Sequence, residues 1–371
     1  MHTEIVKPTM LLDERRVRSN IARMAQRARD NGVRFRPHFK THQSAQIGAW
    51  FRGEGVTAIT VSSLDMAAYF AGHGWDDITV AFPANVRQIE QINRLAAQVR
   101  LNLLVESPAA ARILEERLAQ PVNVWIEVDA GSGRSGVPWD RGGDLHALAE
   151  FLTHSRNMRM QGLLTHAGNT YAARSLAQVA AVHNETVTRL QRLRHSLEAS
   201  GFAGLELSIG DTPACSLLDD WDDVDEARPG NFVFYDLAQM AIGSCTAADV
   251  GFVVACPVVA VHPERRVLVL YGGAVHLSKE MLPRPDGSPS YGAVVPLHEG
   301  GWGDPLEGVW LRSISQEHGV VQATAEAWAQ LAAVQVGDLL GVLPVHSCLT
   351  ADLLKEYVTP DGARIDMMKV E

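Results

Sequence analysis

Lys40 lies in the segment RFRPHFKTH, where Arg36, His38 and His42 flank it with basic and imidazole side chains. A lysine amine in an enclosed site can attack a carbonyl carbon and form a Schiff base, so Lys40 is a candidate covalent nucleophile. The competing interpretation is a surface lysine whose aliphatic stem packs on the protein while its ammonium group stays in water. The position of Lys40 in the fold is needed to choose between the two.

His346 and Cys348 form a His-x-Cys pair after the apolar run LLGVLPV. Imidazole nitrogen and thiolate sulfur are both good zinc ligands, and residues two apart on an extended segment point the same way. Two protein ligands are fewer than a structural or most catalytic zinc sites have, so water, substrate or another residue would complete the coordination. The competing interpretation is a core cysteine beside a polar histidine.

Arg134 lies in EVDAGSGRSGV, whose glycine spacing matches the dinucleotide-binding fingerprint. That function is excluded because Pro138 and Trp139 follow where the phosphate-binding helix should continue. The segment therefore predicts a short glycine turn that presents Arg134 to an anion, or an ordinary loop.

Three further turn segments could expose backbone N–H groups to a phosphate. They are HAGNTY with Tyr171, SIGDTP with Thr212, and RPGNF with Gly230 and Asn231. Each segment alone is equally compatible with an ordinary turn.

The elements that must position these side chains alternate helical patterns with short β-branched runs, as in a parallel sheet covered by helices. About eight such runs precede residue 242, the number that a closed (β/α)8 barrel needs. Lys40 then lies just beyond the first strand, at the strand ends where barrel active sites are built. The predicted strands are 34–38, 58–62, 78–82, 101–105, 122–129, 161–166, 205–209 and 232–235.

Beyond residue 242 the chain becomes rich in β-branched runs that proline, glycine and aspartate interrupt. We therefore predict an α/β fold in two domains, a barrel in residues 1–242 and a mostly antiparallel β domain in residues 243–371. The second domain carries the His-x-Cys pair.

The chain has 371 residues, 46% of them hydrophobic and 20% charged, which is an ordinary globular balance. A formal net charge of -10 argues against nucleic acid as a partner, because nucleic-acid binders concentrate positive charge. A small-molecule ligand fits better.

The N-terminal stretch MHTEIVKPTMLLD lacks the pattern of a signal peptide, and no apolar run approaches the roughly 20 residues that span a bilayer. Four cysteines in so long a chain do not make a disulfide framework. We therefore predict a cytoplasmic protein outside the membrane.

Together these segments resemble the D-serine dehydratase and D-threonine aldolase family, whose barrel is like that of alanine racemase. The resemblance runs from Pro8 to the HSCLT segment, and its strongest element is RPHFKTH, which is similar to the lysine motif of the family. QEHG, residues 316–319, and LPVHSC are similar to two further family segments. The resemblance implies that Lys40 forms a Schiff base with pyridoxal 5'-phosphate.

The resemblance also implies roles for the turn residues. Arg134 corresponds to an arginine that contacts the phenolic oxygen of the cofactor, and Tyr171 to a tyrosine beside it. Thr212, Gly230 and Asn231 fall where family members hold the phosphate. Two departures from the family pattern are YGGAVH at residues 271–276 and valine before the metal pair. The first would alter the substrate side of the pocket, so the fold and the cofactor transfer better than the substrate does.

The activity implied is that of a lyase dependent on pyridoxal phosphate and a divalent metal, with His346 and Cys348 as zinc ligands. It would eliminate water from a D-β-hydroxy amino acid, as D-serine dehydratase does, and release a 2-keto acid and ammonia. The alternative is retro-aldol cleavage to glycine and an aldehyde, as in D-threonine aldolase. Cys348 favours dehydration because thiolate prefers a softer metal.

Two other functions remain open. A racemase would need a second base such as Tyr291, and a non-catalytic carrier of the cofactor would need neither the second domain nor the metal pair. Family analogy further implies a homodimer with its sites at the interface.

Overall fold

The computed structural model describes residues 5–369. Eight short parallel strands form the first domain, and strands that are consecutive along the chain lie side by side. A parallel bridge between His38 and Thr60 joins the first strand to the second and closes the ring, which confirms the predicted barrel. The strands are Arg34–Phe35, Ile59–Val61, Asp77–Pro83, Arg100–Val105, Val122–Asp129, Met158–Leu164, Glu206–Ile209 and Glu226–Ala227.

The predicted eighth strand, residues 232–235, was wrong. That stretch overlaps the 3-10 turn Asn231–Val233, and the eighth strand is Glu226–Ala227. The strand is hard to see in the sequence because it places a charged side chain inside the barrel. Glu226 is fully buried, where its carboxylate accepts hydrogen bonds from Arg34 at 2.8 Å and Arg36 at 2.6 Å.

Helices follow most strands and pack their apolar faces on the outside of the barrel. Most begin at an aspartate or serine whose side chain accepts a backbone N–H of the first turn, as helix N-termini require. The helices are Glu14–Asp30, Ala45–Arg52, Leu64–Gly72, Ile89–Ala96, Pro108–Arg117, Gly142–Thr153, Leu176–Ala199, Thr212–Leu217 and Leu237–Ile242. The capping residues are Asp13, Ser44, Ser63, Ser107, Ser175, Asp211 and Asp236.

The second domain is a closed antiparallel barrel, which confirms the predicted β domain. Around the ring its strands are Phe252–His262, Val267–Tyr271, His318–Ala323, Val309–Ile314, Gly292–His298 and Leu339–Pro344. Glu356–Val358 and Arg364–Asp366 extend the sheet, and the short strands Leu282–Pro283, Pro289–Ser290 and Gly301–Trp302 lie in its loops.

Strand Thr9–Leu12 lies in the sheet of the second domain, where it pairs antiparallel with Phe252–His262 and parallel with Glu356–Val358. Residues 9–12 therefore belong to the sheet of the second domain, although they precede the first domain in the sequence. The domain boundary between residues 242 and 243 stays a prediction. Strand Thr9–Leu12 does not follow it, because the strand precedes residue 242 but pairs with the sheet of the second domain.

Helix Ser347–Leu354 of the second domain faces the first, and helix Ala274–Leu277 packs against it. Helix Ala274–Leu277 contacts helix Ser347–Leu354, and Thr350 Oγ1 donates to the carbonyl of Leu277 at 3.3 Å. The QEHG segment supports the first of these helices, because a Cβ on Gly273 would come within 2.4 Å of the Gln316 carbonyl oxygen. Within residues 5–369, no helix combines the length and apolar character that crossing a membrane requires.

Candidate active site

A cavity of about 820 Å³ opens at the carboxyl ends of the barrel strands, against the second domain. It brings together most of the predicted site residues from both domains. Thr212 is next to the lining residue Asp211 but does not line the cavity itself. The predicted residues in its wall are Lys40, Arg134, Tyr171, Gly230, Asn231, His346 and Cys348.

Lys40 is carried by residues 38–43, here called the lysine loop. The loop is fixed at its start, where Phe39 N donates to Thr60 O at 2.8 Å and Thr60 N donates to Pro37 O at 2.9 Å. The ring of Phe39 is fully buried among other aromatic rings, which leaves Lys40 directed to the cavity. This position favours the functional interpretation of Lys40 over a surface lysine.

Two buried imidazoles stand near Lys40. Burial, and then the charges of Lys40 and Arg228, hold the pKa of His38 well below its ordinary value, and its Nδ1 accepts the Lys40 backbone N–H at 3.3 Å. Burial and the nearby Arg134 lower the pKa of His166 to about 3, and its Nδ1 hydrogen-bonds the Gly210 carbonyl. Both rings are therefore neutral and add no positive charge to the cavity.

Tyr171 and Thr212 meet at the start of helix Thr212–Leu217. The Thr212 backbone N–H donates to Tyr171 Oη at 3.4 Å, and Thr212 Oγ1 is buried with no hydrogen-bond partner in the described structure. A buried hydroxyl without a partner costs free energy unless a bound group pairs with it. Thr212 therefore has a buried hydroxyl behind the cavity wall, close to Tyr171.

Gly230 and Asn231 differ from their predicted roles in one respect. Gly230 packs tightly on the lysine loop, since a Cβ would lie 2.9 Å from both Cβ and O of His38. The side-chain amide of Asn231 turns to the second domain, where it donates to Asp236 at 2.6 Å and Ser347 at 3.1 Å. A contact of Asn231 with a phosphate would therefore involve its backbone.

His346 is extended, but Ser347 begins helix Ser347–Leu354, so Cys348 is helical. The expectation that both residues lie on one extended segment was therefore wrong. They are nevertheless coupled through charge. Burial acts to lower the pKa of His346, but the charges of Cys348 and Asp236 outweigh it and raise that pKa to about 9.

Cys348 also contacts the lysine loop. Burial acts to raise the pKa of its thiol, but His346 and then Lys40 outweigh burial and lower it. Its Sγ lies 3.3 Å from Thr41 Oγ1. Among residues 5–369, no cluster of three or more His, Cys, Asp or Glu side chains is arranged to hold a metal, so this pair would bind one with water or substrate as additional ligands.

Sequence reasoning missed Glu127 and Asp236, two buried carboxylates at the site. Glu127 lines the cavity and accepts a hydrogen bond from Ser135 Oγ at 2.8 Å, while its second oxygen is buried without a partner. The only signal was an acidic residue inside the apolar strand VNVWIEVD. The sequence around Asp236 gave no sign of a role at the site, because its partner Ser347 is distant in the sequence.

Two family models match the chain. The model of the alanine racemase N-terminal domain matches residues 12–237, and the model described as "Putative serine dehydratase domain" matches residues 251–359. Between them they cover both domains.

The similar curated proteins include D-threo-3-hydroxyaspartate dehydratase of Delftia sp. (strain HT23), which is 33% identical over 367 residues. The match covers 96% of this chain and 95% of that protein. D-serine dehydratase of Dictyostelium discoideum is 26% identical over 372 residues, covering 94% of this chain and 92% of that protein.

The solved structure of the Delftia enzyme superposes with a TM-score of 0.89 at 29% identity and covers 99% of both chains. A similar structure, with a TM-score of 0.90 at 30% identity over 99% of both chains, is a cysteine-to-alanine variant of that enzyme in the metal-free form. A third is a histidine-to-alanine variant, and the two altered residues are two positions apart, as are His346 and Cys348. Its TM-score is 0.89 at 29% identity, covering 99% of this chain and 96% of that chain.

Proposed function

The chain belongs to the family that joins an alanine racemase N-terminal domain to a serine dehydratase domain, and we propose that it is a pyridoxal-phosphate- and metal-dependent lyase that eliminates water from a D-β-hydroxy amino acid. The products are a 2-keto acid and ammonia. One observation carries the proposal: Lys40 from the barrel and the His346–Cys348 pair from the second domain line the same cavity.

The cavity residues fit pyridoxal phosphate. The primary amine of Lys40 suits its aldehyde carbon, and the unpaired Thr212 hydroxyl with the backbone beside Gly230 suits its phosphate. When bound, the cofactor delocalises the electron pair left at the substrate Cα. Arg134, Tyr171 and the backbone of Asn231 would complete the cofactor site.

Lys40 and the two imidazoles beside it then account for proton transfer. Lys40 Nζ removes the proton from the substrate Cα, which requires that it be uncharged at that moment. Because His38 and His166 are neutral, neither imidazole adds a positive charge beside the substrate. The Nδ1 of His38 accepts the Lys40 backbone N–H and thereby fixes the loop that carries the base.

The metal pair would serve the leaving group. His346 and Cys348 offer one nitrogen and one sulfur, a donor set that suits zinc. A zinc ion held by this pair would supply Lewis-acid assistance to the departure of a β-hydroxyl group. The lowered pKa of Cys348 makes the thiolate form, which is the form that binds metal, easier to reach than in an ordinary cysteine.

Retro-aldol cleavage is the second candidate, because it uses the same base and the same metal pair. The soft thiolate of Cys348 favours elimination over this alternative. Racemisation has less support, because Tyr291 is not among the residues that line the cavity.

The experiment that tests the proposal measures the role of the Lys40 base and the role of the metal pair separately. Chelation or Cys348→Ala should reduce release of keto acid by on the order of a thousand-fold, the cost of a lost Lewis-acid contact. Exchange of the Cα proton with deuterated solvent should persist in part, because it needs Lys40 and not the metal. Cys256→Ala is the matched control, since that cysteine is buried in the β barrel away from the cavity.

Unchanged turnover in protein shown by elemental analysis to be metal-free would contradict the proposal. Cys348 would then be a core thiol, and a metal-free lyase or a racemase would fit better.

We also propose that the protein is a homodimer. Helices Ala274–Leu277 and Ser347–Leu354, the second of which carries the cavity residue Cys348, contact each other, and four apolar side chains on or near them are exposed. Apolar patches next to a functional cavity are typical of subunit interfaces. This apolar patch consists of Val275, Met281, Leu349 and Leu353.

A further inference from the structure

We propose that Asp236 is a positioning residue for the metal pair, whose carboxylate orients His346 and the start of helix Ser347–Leu354 toward the cavity. The inference rests on the proposed metal-binding role of His346 and Cys348. It concerns a residue of the first domain that does not line the cavity.

Asp236 is fully buried, and its two carboxylate oxygens have different tasks. Oδ1 accepts the Gln239 backbone N–H at 3.0 Å and so caps helix Leu237–Ile242. Oδ2 crosses to the second domain, where it accepts the Ser347 backbone N–H at 2.9 Å and the Ser347 hydroxyl at 3.2 Å. The second oxygen therefore holds the residue between the two proposed ligands.

The imidazole of His346 turns one nitrogen toward the same oxygen. Its Nδ1 lies 3.9 Å from Asp236 Oδ2, which is an ion-pair distance and longer than a hydrogen bond. Nε2 is then the nitrogen left for a metal. Histidine ligands commonly hold their second nitrogen against a carboxylate in this way, which fixes the ring and makes it a better ligand.

Asn231 extends the same support to Cys348. Its Nδ2 donates to Asp236 Oδ2 at 2.6 Å and also lies 3.7 Å from Cys348 Sγ. One carboxylate and one amide of the first domain thus contact the whole His-Ser-Cys segment. A carboxylate needed only to cap helix Leu237–Ile242 would not require the contacts of Oδ2.

Asp236→Asn tests the inference, because asparagine has the same size and is an equally good helix cap, but lacks the charge and one acceptor. Cofactor-loaded, chelator-treated protein is dialysed to equilibrium against a series of zinc buffers, and bound zinc is measured by elemental analysis. We expect the variant to bind zinc about 10- to 100-fold more weakly than the wild type. Asp338→Asn, an exposed carboxylate of the second domain that accepts the Gln335 N–H, should bind zinc like the wild type.

A purely structural role would lower the thermal unfolding midpoint of the zinc-free variant and leave the zinc affinity of the folded protein unchanged. Folded Asp236→Asn protein with wild-type zinc affinity would thus overturn the inference. If that variant does not fold, Ser347→Ala removes one partner of Oδ2 and should weaken zinc binding several-fold, and wild-type affinity there would overturn it too. A wild type that binds no zinc would remove the proposed metal role together with the inference, whereas equal binding by wild type and variant removes the inference alone.

Discussion

At the scale of single residues, two carboxyl groups of the cavity wall are harder to ionise than ordinary carboxyls. Burial raises the pKa of Glu127, and the neighbouring Glu106 raises it further. Burial also raises the pKa of Asp211 from 3.8 to about 6, against the opposing effect of hydrogen bonds from the Ala214 N–H and the Thr170 hydroxyl. Both carboxyl groups therefore stay protonated to a higher pH than ordinary carboxyl groups do.

Asp211 gives a stability prediction with a definite sign. Since its pKa is higher in the folded than in the unfolded protein, the folded state binds more protons between pH 3.8 and about 6, and stability falls as pH rises through that window. Asp211→Asn keeps the helix cap and lacks the titration. Between pH 4 and pH 7, the free energy of unfolding of the variant minus that of the wild type should increase by up to about 3 kcal/mol.

Urea unfolding of both proteins at several pH values measures this difference. A difference independent of pH would mean that the Asp211 carboxyl titrates as it does in the unfolded chain.

The chemical role of a residue could be predicted when it depended only on the type of side chain and on its position relative to the predicted strands. Lys40 and the His-x-Cys pair have distinctive side chains just beyond predicted strands, and the cavity contains all three. Asp236 and the side-chain contacts of Asn231 could not be predicted, because they arise from Ser347, more than a hundred positions away in sequence. No local pattern encodes a contact between domains.

At the scale of elements, the lysine loop is held between the barrel and the second domain. Gln43 Nε2 donates to the Lys40 carbonyl at 3.2 Å and to Asp352 of helix Ser347–Leu354 at 2.8 Å. Tyr357 Oη donates to the His42 carbonyl at 3.0 Å. The helix that carries Cys348 thus fixes the loop that carries Lys40.

Gly230→Ala should displace the lysine loop, because Gly230 of the first domain packs against it. The new methyl group would lie 2.9 Å from Cβ and O of His38 and 3.2 Å from Thr41 Oγ1, so the loop must shift. We expect a loss of about 1–3 kcal/mol of stability and reduced retention of pyridoxal phosphate after dialysis. Gly72→Ala is the control, because a Cβ there meets nothing within 4 Å.

Thermal unfolding and the visible absorbance of the bound cofactor provide the two readouts. Wild-type cofactor retention by Gly230→Ala would show that the loop tolerates the shift and that the phosphate lies elsewhere.

The barrel strands could be predicted where they are apolar. The prediction failed where a strand carries a charged side chain. Residues 122–129 form the predicted strand because six of the eight residues are uncharged and six are buried, whereas Glu226–Ala227 is short and carries a buried charge. Ion pairs with Arg34 and Arg36 stabilise that charge, and the two arginines come from another strand. Hydrophobic periodicity therefore could not identify the strand.

At the scale of the whole molecule, the proposed dimer predicts that the apolar patch is covered in solution. Sedimentation velocity should give the mass of two chains for the wild type, and Leu353→Glu should shift the protein toward one, because a buried carboxylate opposes association. Val336→Glu alters an apolar side chain that is 65% exposed outside the patch and should remain dimeric. A wild-type monomer, or a dimer unaffected by Leu353→Glu, would contradict this interface.

The most direct measurement of the central claim is product analysis with D-serine, D-threonine and D-threo-3-hydroxyaspartate beside the matching L isomers. Lys40 approaches the substrate from one side only, so the proposal predicts a 2-keto acid and an equal amount of ammonia from D substrates alone, and loss of both products after chelation. Glycine and an aldehyde from D-threonine would instead identify an aldolase. Comparable turnover of both enantiomers, or racemised substrate without ammonia, would contradict the assignment of the protein as a D-specific dehydratase.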